Sequence, residues 1–181
     1  MVWIHTSKKK IEKLIDDTDC KKQYIFIRPF GLWLALGSAW LDWMNSEMPE
    51  WKKAVKHVYK FNFKKDINVI KISTFDELVK FHDKYVVKTF SHEYNGEKFF
   101  DYFIDWPRVC KDYDGIIFSN YNKIKSYIYD LKQNEIMLKI PTFRSKSHHI
   151  YNWFGFIDID SACIWKPSAV ISSFEEIDIK I

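Results

Sequence analysis

The sequence predicts an α+β fold in a single domain over residues 1–181, built on a largely antiparallel sheet with interspersed helices. Three observations predict it. Short stretches with strand alternation recur between stretches with helical spacing. No repeat, linker-like composition shift or low-complexity segment divides the chain. With 181 residues, 47% hydrophobic and 29% charged, the chain can bury roughly 70% of its unfolded surface and needs no metal or disulfide to hold a core.

The elements follow in order. Val2–Thr6 predicts a strand. A charged helix is expected over Lys8–Asp16, with Ile11, Leu14 and Ile15 on one face. Tyr24–Ile27 predicts a strand, Arg28-Pro-Phe-Gly31 a turn, and Leu32–Leu36 another extended piece. Ser38 is placed to cap a helix from Ala39 to about Glu47 whose face carries Trp40, Trp43 and Met44. Tyr59, Phe61 and Phe63 alternate with Val58, Lys60 and Asn62, as a strand does. Val69–Ile72 predicts a further strand. Thr74 and Glu77 have capping-box spacing and open a helix to about Tyr85.

Residues 88–103 are polar and aromatic without clear periodicity and predict a long loop. Asp105 caps a short helix. Gly115–Ser119 predicts a buried strand, and Tyr121–Lys132 a helix with Ile124, Tyr127, Ile128 and Leu131 inward. Pro141–His149 is basic and Ser-rich and predicts a mobile loop. Phe156–Trp165 and Val170–Ile179 predict two closing strands.

Charge and composition exclude several function classes. The net charge is +4, carried almost entirely by Lys, since Arg occurs only at Arg28, Arg108 and Arg144. Arg is the preferred group for bidentate phosphate or guanine contacts, so this is not the footprint of a dedicated nucleic-acid binder. Lys8-Lys9-Lys10 and Lys64-Lys65 read as solvated faces. Cys20, Cys110 and Cys163 are far apart and odd in number. That predicts free thiols in a reducing compartment. The N-terminal residues lack a signal-peptide core, and no apolar run approaches the ~20 residues that cross a bilayer. A cytoplasmic protein without a membrane partner is expected. No Gly-rich phosphate loop or zinc-ligand spacing occurs, so no metal is expected. Asp158 and Asp160 are read on one face of a strand, either as a carboxylate pair or as its solvated side.

Three segments in order carry a resemblance: Val2-Trp-Ile-His5-Thr6-Ser7, then Gly31-Leu-Trp33-Leu-Ala-Leu-Gly37-Ser38-Ala39-Trp40, then Ser161-Ala-Cys-Ile-Trp165-Lys166-Pro167-Ser168-Ala169-Val170. Together they resemble the three pocket motifs of the diphtheria-toxin-like branch of the ADP-ribosyltransferase fold, which includes the poly-ADP-ribose polymerases. The resemblance implies a split sheet and a site for NAD. It implies that His5 contacts the ribose or the nicotinamide-side phosphate, that Trp33 stacks on nicotinamide, and that backbone near Thr6 grips the carboxamide. It places Ser7, Gly31, Ser38 and Trp40 in the same nucleotide-binding set. Counting back from Trp165-Lys166-Pro167, the position of the family's catalytic Glu falls on Ser161, with Asp160 one residue away on the opposite strand face.

The expected function is therefore NAD binding with transfer of ADP-ribose to a macromolecular or other acceptor, or cleavage of the nucleotide. The catalytic positions are His5, Trp33, Ser161 and Asp160. The alternative is a non-catalytic module with a degenerate pocket that binds a nucleotide, a protein or a nucleic acid. For the last of these, Tyr59-Lys60-Phe61-Asn62-Phe63-Lys64-Lys65 would supply stacking rings between Lys residues. The Lys, Ile, Asn, Tyr and Phe bias also suggests a viral or mobile-element protein that sequesters a nucleotide.

Overall fold

The structure, a computed structural model, describes residues 2–138 and 145–178. Along the chain these form β1 (Trp3–Ser7), β2 (Ile25–Phe26), β3 (Leu32–Leu36), α1 (Ala39–Glu47), a 3-10 turn at Pro49–Ala54, β4 (His57–Phe63) and β5 (Val69–Ile72). Then come α2 (Phe75–Tyr85), β6 (Val86–Tyr94), β7 (Glu97–Asp105), α3 (Trp106–Asp112), β8 (Gly115–Phe118) and α4 (Tyr121–Met137). The chain closes with α5 (Lys146–Phe154), β9 (Ser161–Ile164), α6 (Pro167–Val170) and β10 (Ile171–Glu176).

Among the described residues, seven strands pair in the order β10-β4-β1-β3-β9-β8-β5, and three more in the order β2-β7-β6. Pairing is antiparallel except between β5 and β8. The expected α+β class with a mostly antiparallel sheet is observed. Strands β8 and β9 are buried along their whole length. Ile116, Phe118, Cys163 and Trp165 face a core formed with α2 to α5. Ile117, Ala162 and Ile164 face a second core around Trp3, Tyr59 and Phe61. Burial on both faces is why Gly115–Phe118 and Ser161–Ile164 read as continuous runs without polar alternation. No helix among the described residues is long and apolar enough to cross a membrane.

Local chemistry explains the elements that match expectation. Thr74 and Glu77 close the capping box of α2 with both reciprocal hydrogen bonds. Asp105 Oδ1 accepts from the Arg108 N–H at the start of α3, at 3.1 Å.

Several expectations are corrected. Residues 8–16 form no helix. Three lysines at its would-be first turn oppose the helix dipole. The backbone there is taken up elsewhere: the Ile11 N–H donates to the Tyr59 hydroxyl at 2.9 Å, and Ile15 is 63% exposed. Residues 88–103 are the hairpin of β6 and β7, turning at Asn95 and Gly96, both at positive φ. The expected mobile loop falls on 141–144, outside the described residues, and on 145–149. There Ser145 accepts from the His148 N–H and caps α5. Tyr127 is half-exposed and packs against Phe75 rather than inward, with ring centroids 4.8 Å apart. The strand expected from Phe156 begins only at Ser161, the one expected over Tyr24–Ile27 shrinks to β2, and the one expected over Val170–Ile179 is described over Ile171–Glu176. In β4, Tyr59 and Phe61 are buried and Phe63 stacks on Trp3, so this strand offers bases no stacking face.

The cysteine expectation is also corrected. Cys20 and Cys110 form a disulfide across 90 residues, which removes the cysteine argument for a reducing, cytoplasmic setting. Cys163 is the free cysteine, and its burial pushes the thiol pKa up.

Gly31 is required by a close approach. A Cβ there would lie 2.8 Å from Cys163 Sγ and 2.8 Å from the Ile164 carbonyl oxygen. Gly31→Ala is expected to lower stability by about 1–3 kcal/mol, read as a lowered urea midpoint.

Candidate functional site

The site begins where the sheet comes apart. β1 and β3 pair only at Trp3–Leu36 and Ile4–Ala35. Beyond that, His5, Thr6 and Ser7 follow β4, while Leu32, Trp33 and Leu34 follow β9. The divergence leaves a cavity of about 160 Å³ lined by His5, Thr6, Trp33, Trp40, Ser161 and Arg28, with Ile157 and Ile159 adding apolar wall. Apolar cavities of roughly 150 Å³ accept a single six-membered ring such as benzene.

His5 bridges the gap. Its Nδ1 lies 2.7 Å from the Trp33 carbonyl oxygen. A carbonyl only accepts, so Nδ1 carries the proton and donates. Burial lowers the His5 pKa, an effect the bond to Trp33 partly offsets. The ring is thus neutral at pH 7, and Nε2 is an acceptor. The Trp33 indole is held by its own N–H, which donates to the Pro29 carbonyl at 3.3 Å.

Ser161 opposes them at the start of β9, aligned with Ala35 of β3. It is 2% exposed, and its Oγ has no hydrogen-bond partner. A buried hydroxyl left unpaired costs about 1–3 kcal/mol, which a ligand supplying a partner recovers. Trp40 enters from α1, stacked on Trp43 at 5.0 Å and 11°. It also lines a second cavity of about 320 Å³ together with Thr6, Ser7, Lys8 and Trp51.

The structure thus brings His5, Thr6, Trp33, Trp40 and Ser161 together. Ser7 lies in the second cavity. Gly31 lies at the crossing over β9 and outside the lining. Ser38 stands at the N-cap position of α1 without a capping bond, and its Oγ donates to Asp42 Oδ2 at 2.6 Å. Asp160 turns away: its Oδ1 accepts from the Tyr121 N–H at 2.7 Å, at the start of α4. Asp158 and Asp160 do not share a strand face, because the chain there is a turn with Asp158 at φ 72°. Both line a wider groove of about 960 Å³ that shares Ile159 with the cavity.

Arg28, expected only in a turn, stands at the cavity, 3.6 Å from Asp158. The signal was its place as the one Arg near the second motif. Chemically, the arrangement offers an aromatic wall for a flat ring, an imidazole acceptor, a buried hydroxyl and a cation beside them. No protein-family description, curated protein or solved structure matches this chain.

Proposed function

We propose that the chain is an ADP-ribosyltransferase-like protein that binds NAD, or a related nucleotide, by its nicotinamide-ribose end. The observation that carries this reading is the cavity itself: residues from three segments far apart in sequence line one ring-sized space beside an unpaired hydroxyl. In this reading Trp33 stacks on the flat, cationic nicotinamide ring. His5 Nε2 accepts from a ribose hydroxyl. Ser161 Oγ donates to the carboxamide or the sugar.

Cleaving the glycosidic bond, with transfer of ADP-ribose to an acceptor or to water, requires stabilisation of an oxocarbenium-like charge. A neutral hydroxyl at Ser161 supplies little of it, and Asp160 is committed to α4. This favours the second reading, a pocket that retains the nucleotide without turning it over.

Calorimetric titration with NAD and ADP-ribose tests the proposal. NAD is expected to bind the wild type. His5→Ala and Trp33→Ala are each expected to weaken it roughly tenfold with the fold intact by circular dichroism. ADP-ribose, which lacks the stacking ring, should bind more weakly than NAD. No binding of either ligand at millimolar concentration overturns the proposal. Release of free nicotinamide, followed by chromatography, separates turnover from retention.

A further inference from the structure

Arg28 is the cationic side chain in the lining of the ring-sized cavity. Contacts at Phe26, Pro29 and Phe30 hold its backbone in place. The side chain of buried Gln23 clasps Phe30 at both ends, accepting from its N–H at 2.9 Å and donating to its carbonyl at 2.6 Å. The Pro29 carbonyl accepts the Trp33 indole N–H. On the other side, Phe26 pairs with Ile104 of β7, and its carbonyl accepts the Trp106 indole N–H at 3.1 Å. The guanidinium is therefore carried on a fixed stem beside the cavity, while its head remains about half-exposed. Its recorded ionic partner, Asp158, sits at 3.6 Å, beyond good hydrogen-bond length, and is itself partly exposed. An ion pair this loose and this wet holds little energy, so exchanging its anion costs little.

His5 is excluded from the same task. Its Nδ1 proton is spent on Trp33, and its neutral ring offers a second anion only a lone pair.

We propose that Arg28 and Asp158 form an anion-exchange latch. Arg28 leaves Asp158 to grip the phosphate nearest the bound ring, so the site selects a phosphorylated nucleotide over the corresponding nucleoside or free base. The proposal rests on the nicotinamide-ribose reading above. Guanidinium binds phosphate with charge-assisted, bidentate geometry that the single 3.6 Å approach to Asp158 does not satisfy. The released Asp158 turns to the solvent-filled groove it already lines.

The test compares nicotinamide riboside with nicotinamide mononucleotide by calorimetry in a buffer free of phosphate. The wild type is expected to bind the mononucleotide roughly tenfold or more tightly than the riboside. Arg28→Gln is expected to bring that ratio close to one by weakening the mononucleotide. Asp158→Asn removes the competing anion and is expected to tighten the mononucleotide severalfold. Raising the salt should narrow the wild-type ratio and leave the Arg28→Gln ratio unmoved. Riboside binding with no preference for the mononucleotide overturns the latch and leaves the nicotinamide reading standing. A preference that survives in Arg28→Gln also overturns it. If neither ligand binds the wild type, both readings fall. Inorganic phosphate binding as tightly as the mononucleotide overturns it as well, since the site would then be a general anion site.

Discussion

Reduction of the Cys20–Cys110 disulfide is expected to cost about 2–4 kcal/mol and to lower the melting temperature by roughly 5–15 °C. The bridge closes a loop of 90 residues, a length at which chain-entropy arguments place the stabilisation near the top of the usual range. It also tightens the native state locally. Cys20 sits in a turn where its N–H donates to the Asp17 carbonyl and its carbonyl accepts from Gln23. The Asp17 N–H in turn donates to the Trp165 carbonyl at 2.7 Å. Cutting the bridge frees this turn from α3. Thermal unfolding with and without dithiothreitol measures the effect, and the double variant Cys20→Ala with Cys110→Ala should no longer respond to the reductant. A wild type indifferent to reductant would show that the pair contributes nothing.

Acid is expected to destabilise the fold through His82. The Trp153 indole donates to His82 Nδ1 at 3.1 Å between two buried side chains. His82 Nδ1 must therefore be unprotonated, and the ring is neutral. Burial is the main reason that its pKa falls to about 4; His149 and Lys146 push the same way, and Asp83 opposes them. The unfolded chain, with an ordinary histidine, takes up its proton near pH 6.5. Between these values the unfolded state binds more protons, so stability is complete above about pH 6.5. It declines as the pH falls to about 4, by about 3 kcal/mol in all. His5 and His148 are also shifted down and add to the decline with the same sign. Urea unfolding at pH 7 and pH 4.5 measures the total. His82→Gln is expected to be less stable at neutral pH and to lose much of the slope. An unchanged slope in that variant would remove His82 as the source.

What could be read from the sequence depended on whether a segment's periodicity matched its burial. β4 and α2 were legible because one face is buried and the other is wet, and the Thr74–Glu77 box marked the helix start. The β6–β7 hairpin was not, because β6 beyond Val87 is exposed on both faces, so no buried side marks it as a strand. Its one clear signal was Asn95-Gly96, a pair suited to two successive positive φ values. The 8–16 segment misled in the opposite direction: Ile11 and Leu14 do pack on the core, but from an irregular stretch rather than from a helix face. α5 was hidden by its basic, Ser-rich entry, although Ile150, Trp153 and Phe154 carry its buried side.

The disulfide needed a contact across 90 residues that no local pattern encodes. For the site, spacing alone said nothing about the neighbourhood of β1, β3 and β9. His5, Trp33 and Ser161 were singled out through the motif resemblance, and Arg28 was missed because its partner Asp158 is 130 residues away in a turn that was read as a strand.

The Gln23 clasp has a further consequence. It seals the base of residues 24–29 with one side chain, and the Phe26 backbone is moored independently to β7 and Trp106. Tyr24, Ile25 and Phe26 are each about half-exposed, with Tyr24 packed on Phe26 and Phe30, and Phe26 stacked on Phe103 of β7. The moorings at Phe26 and Phe30 are made through their backbone groups, so a side-chain change at Ile25 leaves the frame that carries Arg28 in place.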